Sequence, residues 1–302
     1  MKPSSLLPPL LALTLAPLLL GIIARTKAVV AGRVGPPLLQ PYYDVAKLTR
    51  KGAVYSQTST WIFRTGPVVG LAAVTLATAL VPFGSSSALL AFPGDVILFT
   101  YLLALTRFVT VLAALDTGSS FEGMGASREV TFAALAEPAL LLGLAAVARR
   151  TGNLSLSGMV SHATLAVWRQ GTPTLALVAA ALLVVFLAEN GRIPVDDPTT
   201  HLELTMLHEV MVLDHGGPDL ALILYGSTVK LWLLGALLVG VLPLHGGDPW
   251  LSSAAAIAAM GALAVITGLI ESSMARLRLI HVPKLLVGAG VLSVLALLLG
   301  WR

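Results

Sequence analysis

Long apolar runs recur along the whole sequence, and they limit the fold of this chain more than any other feature. An α-helix needs about 20 mainly apolar residues to cross the roughly 30 Å hydrocarbon core of a bilayer. Only 11% of the residues are Asp, Glu, Lys or Arg, against about 25% in a typical soluble domain, and the mean hydropathy is +0.88. The sequence therefore predicts an all-α polytopic membrane protein with about eight transmembrane helices. The predicted spans are 5–24, 66–83, 95–115, 129–148, 172–190, 219–243, 250–271 and 284–301.

The stretches between these spans are too short for a soluble domain, so residues 1–302 are predicted to form a single integral membrane domain. Its main loops cover residues 25–65 and 190–218. The first of them is rich in Lys and Arg, whereas residues 84–94 contain neither. The positive-inside rule therefore places the first loop in the cytoplasm and the N-terminus outside. Three basic residues fall on the outer side in this topology, against the rule: Arg149, Arg150 and Arg169.

Within the first loop, the segment Pro36–Gly52 is too short and too mixed in character to span a membrane. It is predicted to form an amphipathic helix in the membrane interface, with Tyr42 and Tyr43 at the depth of the lipid headgroups.

Composition and motifs exclude several classes of site. The chain has no Cys, which excludes disulfides, Cys-ligated zinc and iron–sulfur clusters held by this chain alone. The pI of about 9.6 does not indicate nucleic-acid binding, because most basic residues lie beside membrane spans. His201, His208 and Glu209 lack the spacing of a common metal site, so no metal is predicted and the His pair is assigned to a solvated or partner-facing surface.

Three charged residues lie deep within predicted spans, where a charge costs at least about 2.5 kcal/mol. Glu137 precedes Pro138, which removes a backbone hydrogen bond and can open a polar pocket beside the carboxyl. Glu137 is predicted to be either a proton-relay group or a neutral acid bonded to a neighbouring helix. Lys230 suggests an ion pair or a relay partner, with Glu137 or Glu189 as the acid. Arg107 suits a fixed counter-ion, and for both cations a purely structural pair is an equal alternative.

The segment Glu189–Leu204, "ENGRIPVDDPTTHLEL", follows a run without any charge. Glu189 is predicted to end the fifth span, and a new helix is predicted to begin near Pro198 and to run to about Leu213. Glu203 would lie in the middle of the apolar face of that helix. Because this is a poor place for a solvated carboxylate, Glu203 is predicted to point into a buried polar cavity.

Three strings carry a resemblance to a known family: "GRVGPPLLQPYYDVAKLTRKG", "LDTGSSFEGMGASREVTFAALAEPALLLGL" and "ESSMARLRL". The chain resembles subunit 1 of respiratory complex I and its relatives in group 4 nickel–iron hydrogenases, such as formate hydrogenlyase subunit 4. The second and third strings are closest to the hydrogenase branch. The resemblance implies an eight-span, non-catalytic membrane subunit of an oxidoreductase complex, which contacts a peripheral redox arm.

The resemblance also assigns residues to roles. The implied ion path contains Glu137, Glu189, Asp196 and Glu203, and Arg107 and Lys230 are grouped with it. The implied docking and loop-anchoring set contains Arg33, Gln40, Asp44, Arg128, Arg276 and Arg278, to which Lys47, Asp116 and Glu129 are added. This sequence departs from the family at Thr199 and His201, where two further acids are usual. The departure puts in doubt whether this loop handles protons as it does in relatives, although His201 is itself protonatable.

The leading hypothesis is a hydrogenase-like complex in which this subunit docks the redox arm and couples electron transfer to proton or sodium translocation. The alternatives are the quinone-chamber subunit of a complex I-type oxidoreductase, a stand-alone ion antiporter and a simple anchor. No cofactor is expected on this chain itself. The expected partners are hydrogenase-like large and small subunits with iron–sulfur clusters and, in some branches, nickel–iron, together with antiporter-like membrane subunits and lipid. Quinone and lipid are both candidate occupants of a cavity.

Overall fold

The structure is a computed structural model and describes residues 3–196, 208–244 and 248–300. Ten α-helices lie within these ranges. They are α1 (Leu7–Val30), α2 (Gln40–Leu48), α3 (Trp61–Thr78), α4 (Asp95–Asp116), α5 (Ser120–Thr151), α6 (Leu156–His162), α7 (Leu165–Glu189), α8 (Gly217–Val241), α9 (Pro249–Ser273) and α10 (Val282–Leu299). Short 3-10 helices cover Pro3–Leu6, Glu209–Val212 and Leu279–His281.

The predicted all-α membrane fold is confirmed, since 8 helices within the described ranges are long and apolar enough to cross a bilayer. Several predicted boundaries were wrong: α1 ends at Val30 and not at residue 24, and α7 begins at Leu165 and not at residue 172. Two further differences have a cause in polar contacts. The second span was predicted over 66–83 but α3 begins at Trp61, because Thr60 caps it by accepting a hydrogen bond from Ile62 N. The fourth span was predicted from residue 129 but α5 begins at Ser120, because its first turns bury Glu122 and Glu129 instead of exposing them.

The predicted helix in Pro36–Gly52 is present as the nine-residue α2, which buries none of its residues within the chain. Its interfacial position stays a prediction. The helix predicted from about Pro198 to Leu213 falls largely on residues 197–207, which lie outside the described residues, as does Glu203. The described part of that segment forms the 3-10 turn Glu209–Val212.

The helices pack around α8, the most deeply buried of the eight spans, which contacts α1, α3, α7 and α9. On one flank α10 lies against α5 and α7, and Ser293 Oγ donates to the Ala139 carbonyl at 2.8 Å. On the other flank α1 lies against α9, and α3 lies against α4. Because successive spans alternate in direction, one end of the bundle carries the segments 31–60, 117–119, 190–196, 208–216 and 274–281. We call this end the loop side.

Two tyrosines support a proline inside α1. Pro17 has no N–H, so the Leu13 carbonyl lacks its partner in the helix. Tyr225 of α8 donates its hydroxyl to that carbonyl at 2.7 Å, and Tyr42 of α2 donates to the next one, Thr14 O, at 2.5 Å. These bonds satisfy backbone groups that lipid could not and tie three helices together.

One glycine permits an unusually close backbone approach on the same helix. A Cβ at Gly21 would lie 2.0 Å from the carbonyl oxygen of Leu38. The chain that leads into α2 can therefore fold back onto α1 only because residue 21 has no side chain.

Candidate functional site

The charged residues that the sequence placed within spans meet in one buried cluster, centred on Arg107 of α4. Arg107 Nε donates to Glu129 Oε1 at 3.0 Å. One terminal nitrogen contacts both oxygens of Glu189, at 2.6 and 2.5 Å, and the other contacts Glu137. The planar guanidinium therefore joins three carboxylates from α5 and α7, a geometry that a Lys could not provide.

Lys230 of α8 completes the cluster by binding Glu189 Oε2 at 2.8 Å. The sequence left Glu137 and Glu189 as alternative partners for Lys230, and the described residues pair it with Glu189. Four helices thus converge on a few charged atoms. We call Arg107, Glu129, Glu137, Glu189 and Lys230 the ionic cluster.

Burial differs along the cluster. The side chains of Arg107, Glu129 and Glu189 are only 6–8% exposed and that of Lys230 is 12% exposed, whereas that of Glu137 is 41% exposed. Three carboxylates face two cations, so the cluster has one carboxylate in excess. Such a group is expensive in a membrane unless a proton or another cation balances it, which is the kind of arrangement found on ion pathways.

The order of residues along α5 explains why two of its acids reach the same cation. Glu129 and Glu137 are eight residues apart, slightly more than two helical turns, so both side chains lie on one side of the helix. The helix continues through Pro138, which follows Glu137.

A second set of ion pairs lies on the loop side, where it holds the chain that leaves α7. Glu271 of α9 is fully buried and binds Lys27 Nζ at 2.9 Å and Arg192 at 3.2 Å. Asp196, also buried, binds Arg276 at 3.1 Å, and Leu277 N donates to the Pro194 carbonyl at 2.9 Å. The segment that begins directly after Glu189 is therefore fixed to the ends of α1 and α9.

The other residues assigned to docking or anchoring are placed in different ways. Asp116 caps α3, because its carboxylate accepts from Thr60 N, Thr60 Oγ1 and Phe63 N at 2.6, 2.8 and 3.3 Å. Gln40 donates to Asp44 within α2 at 2.9 Å. Arg128 donates to the sulfur of Met124. Of the basic residues assigned to docking, Arg33, Lys47 and Arg278 are exposed on the loop side.

A cavity of about 330 Å³ opens on the loop side, lined by Val54, Tyr55, Ser56, Ser59, Phe63, Thr117 and Asp214. Behind it, the buried ring of His215 stacks on Phe63 with ring centres 3.9 Å apart. Burial lowers the pKa of His215, against the opposing influence of Asp219 and Asp214. A hydrogen bond to Asp219 is the main reason that the pKa of Tyr55 is raised.

Comparison with known proteins identifies the family. The family model described as NADH dehydrogenase, that of complex I subunit 1, matches residues 5–300. The chain belongs to the complex I subunit 1 family. Within it, the chain is 33% identical to formate hydrogenlyase subunit 4 of Escherichia coli K12 over 286 residues, which cover 91% of each protein. It is 32% identical to hydrogenase-4 component C of the same organism over 278 residues, 89% of this chain and 87% of the relative.

A solved structure supports the same fold for this member of the complex I subunit 1 family. A chain of the membrane-bound sulfane sulfur reductase, an archaeal respiratory membrane complex, matches with a TM-score of 0.82 over 98% of both chains. The two sequences are 23% identical, so this likeness concerns the fold alone.

Sequence reasoning missed several members of the ion-pair network in this member of the complex I subunit 1 family. Glu129 was assigned to docking, but the structure places it in the ionic cluster. The Lys27–Glu271–Arg192 group was not recognised, because each residue stands at a helix end, where charges are common. Its signal was Glu271, which directly follows a long apolar run. His208 was assigned to a surface, yet its Nε2 lies 3.4 Å from Glu129 Oε2.

Proposed function

We propose that this chain is the membrane subunit of an energy-converting, hydrogenase-like complex of the formate hydrogenlyase or hydrogenase-4 type. It docks a peripheral redox arm on the loop side and couples electron transfer to proton or sodium translocation. The observation that carries the proposal is the ionic cluster, which places an excess carboxylate between four membrane helices. An anchor would have no use for such a cluster, and the similarity over 91% of a formate hydrogenlyase subunit supports the choice of complex.

The coupling is electrostatic in this proposal. Glu189 ends α7, and the segment that follows it reaches Asp196, which Arg276 holds at the loop side. A change of charge or position in the docked arm shifts this segment. The shift alters the strength of the ion pairs that Arg107 and Lys230 form with Glu189. The altered balance changes which carboxylate of the cluster holds a proton, and the half-exposed Glu137 passes the change to a neighbouring membrane subunit.

The proposed partners follow from the surfaces of the chain. The loop side carries exposed Arg33, Lys47 and Arg278 and suits acidic patches on hydrogenase-like large and small subunits. Those subunits would carry the iron–sulfur clusters and any nickel–iron site, and this chain would bind none. The flank around Glu137 suits antiporter-like membrane subunits. With the loop side in the cytoplasm, the N-terminus lies outside the cytoplasmic membrane of a bacterium or archaeon.

Two experiments test this function. A tagged chain purified in mild detergent should retain soluble and membrane partners that mass spectrometry identifies, and a large subunit with both nickel-binding CxxC pairs would specify a hydrogenase. The double variant Glu137→Gln with Glu203→Gln should then assemble normally but lose at least about tenfold in coupled ion movement. Unchanged coupling in this variant would refute the proposed ion path.

The loop-side cavity favours a second candidate, the quinone-chamber subunit of a complex I-type oxidoreductase. Its volume of about 330 Å³ lies at the lower end of the range for small-molecule sites. Reduction of an added short-chain quinone by the purified complex, lost on Phe63→Ala, would favour this function over the first. If the purified complex turns over without quinone and does not reduce added quinone, the quinone-chamber function is refuted.

A further inference from the structure

His208 lies beside the ionic cluster at the start of the described chain that leads to α8. Its ring rests on Gly191, which has φ +56°, and a Cβ at that position would lie 2.7 Å from His208 Nδ1. Both ring nitrogens are shielded from solvent and have no hydrogen-bond partner among the described residues. The ring therefore packs directly against the backbone of Gly191, and a bulkier residue at position 191 would displace the ring.

The ring faces one charged group among the described residues. His208 Nε2 lies 3.4 Å from Glu129 Oε2 of α5, and Glu129 Oε1 accepts from Arg107 Nε of α4 at 3.0 Å. On its other side the ring meets the backbone around Gly191. A continuous series of contacts thus runs from His208 through Glu129 and Arg107 to Glu137.

The two ends of this series are the exposed ones. The side chain of His208 is 34% exposed and that of Glu137 is 41% exposed, whereas Glu129 and Arg107 between them are each 8% exposed. Because both ring nitrogens are shielded, His208 must reorient to take up a proton, and its partly exposed side chain borders the loop side. A protonated His208 would also supply the one positive charge that the ionic cluster lacks.

We propose that His208 takes up a proton at the loop side and delivers it to Glu129. The N–H bond at Nε2 breaks, the proton binds Glu129 Oε2, and the imidazolium becomes neutral imidazole while the carboxylate becomes a carboxylic acid. The neutral Glu129 then binds Arg107 less strongly, so Arg107 interacts mainly with Glu137 and Glu189. This inference deepens the proposed function and rests on it.

The test uses the purified complex in liposomes, driven by a reduced viologen, with a pH-sensitive dye as readout. His208→Gln removes the imidazole that carries the proton, and His208→Arg keeps a fixed positive charge that cannot deliver a proton. Both variants should assemble and oxidise the donor, yet move at least tenfold fewer protons per electron and lose the pH dependence of wild type. His281→Gln, at the loop-side start of α10, is the matched control and should behave as wild type.

The outcomes separate a proton relay through His208 from a purely electrostatic role of this residue. Wild-type proton movement by His208→Arg would overturn the relay and leave only a role for charge, and wild-type movement by His208→Gln would exclude both. A wild-type complex that moves sodium ions but no protons would overturn the relay alone, whereas one that moves neither ion would refute the proposed function and the inference with it. Where the His208 variants fail to assemble, infrared difference spectra of the wild-type complex with isotope-labelled His should show imidazole bands coupled to carboxylic acid bands. The same spectra after Glu129→Gln should lack this coupling, and unchanged bands would overturn the relay.

Discussion

At the scale of single residues, the phenol of Tyr225 replaces the hydrogen bond that Pro17 removes from α1. In a membrane no water can satisfy the Leu13 carbonyl, so the hydroxyl of another helix is the available donor. Membrane proteins tolerate proline in this way, and here the compensation also fixes α8 against α1.

We expect Tyr225→Phe to lower stability by about 1 kcal/mol, because it deletes one interhelical hydrogen bond and leaves the ring in place. Thermal unfolding in detergent would measure the change. Tyr43→Phe is the control, since Tyr43 is 60% exposed on α2. Equal midpoints for the two variants would contradict this account.

His215 makes the stability of the folded chain depend on pH. Burial lowers its pKa in the folded chain below the ordinary value of 6.5, so below that pH the unfolded chain binds a proton that the folded chain does not. Stability should therefore fall as the pH is lowered from about 7.5 to about 5.5. In His215→Phe, which keeps the ring stacked on Phe63, the fall should be smaller. Parallel pH profiles of the thermal midpoint would show that other groups cause the effect.

At the scale of elements, the contact between α1 and the chain leading into α2 depends on Gly21. We expect Gly21→Ala to cost roughly 1–3 kcal/mol, because the added Cβ would overlap the Leu38 carbonyl and push that chain away. Gly288→Ala in α10 is the matched control, since no atom lies within 4 Å of its added Cβ, and it should be neutral or slightly stabilising. Chemical denaturation of both variants would measure the difference, and similar losses would refute the close approach.

The helices could be predicted from the sequence because hydrocarbon thickness fixes the length of an apolar run. The errors arose at polar ends. Residues 120–128 contain no long apolar run, so the sequence gives no signal of a membrane helix there. They are helical because Glu122 and Glu129 are buried against other elements. The start of α3 similarly depends on Thr60 and on the distant Asp116.

The ionic cluster was predictable in part, because Arg107, Glu137 and Lys230 are costly inside a membrane and therefore require partners. Their pairing was not predictable. Arg107 and Glu189 are 82 positions apart in sequence, and only the packing of α4 against α5 and of α5 against α7 brings them together. Glu129 gave no separate signal, because an acid at the predicted start of a span could equally face water.

At the scale of the whole molecule, the natural absence of Cys allows the orientation to be measured directly. Ser56→Cys adds a thiol to the loop side, and Ser87→Cys adds one to the exposed turn between α3 and α4 at the opposite end. In intact cells a membrane-impermeant maleimide should label only Ser87→Cys, because the basic loop side is predicted to face the cytoplasm. In inverted vesicles the pattern should reverse, and the opposite labelling would invert the proposed topology.

The pairing of α1 with α9 has a consequence for biosynthesis. Lys27 emerges from the ribosome early, whereas Glu271, to which it binds, is made 244 positions later. Throughout that interval α1 must remain in the bilayer with one face uncovered and one cation unmatched, so the bundle closes only in the last stage of synthesis. Nascent chains that stall before α9 should therefore be substrates for membrane quality-control proteases even though most of their helices are already inserted.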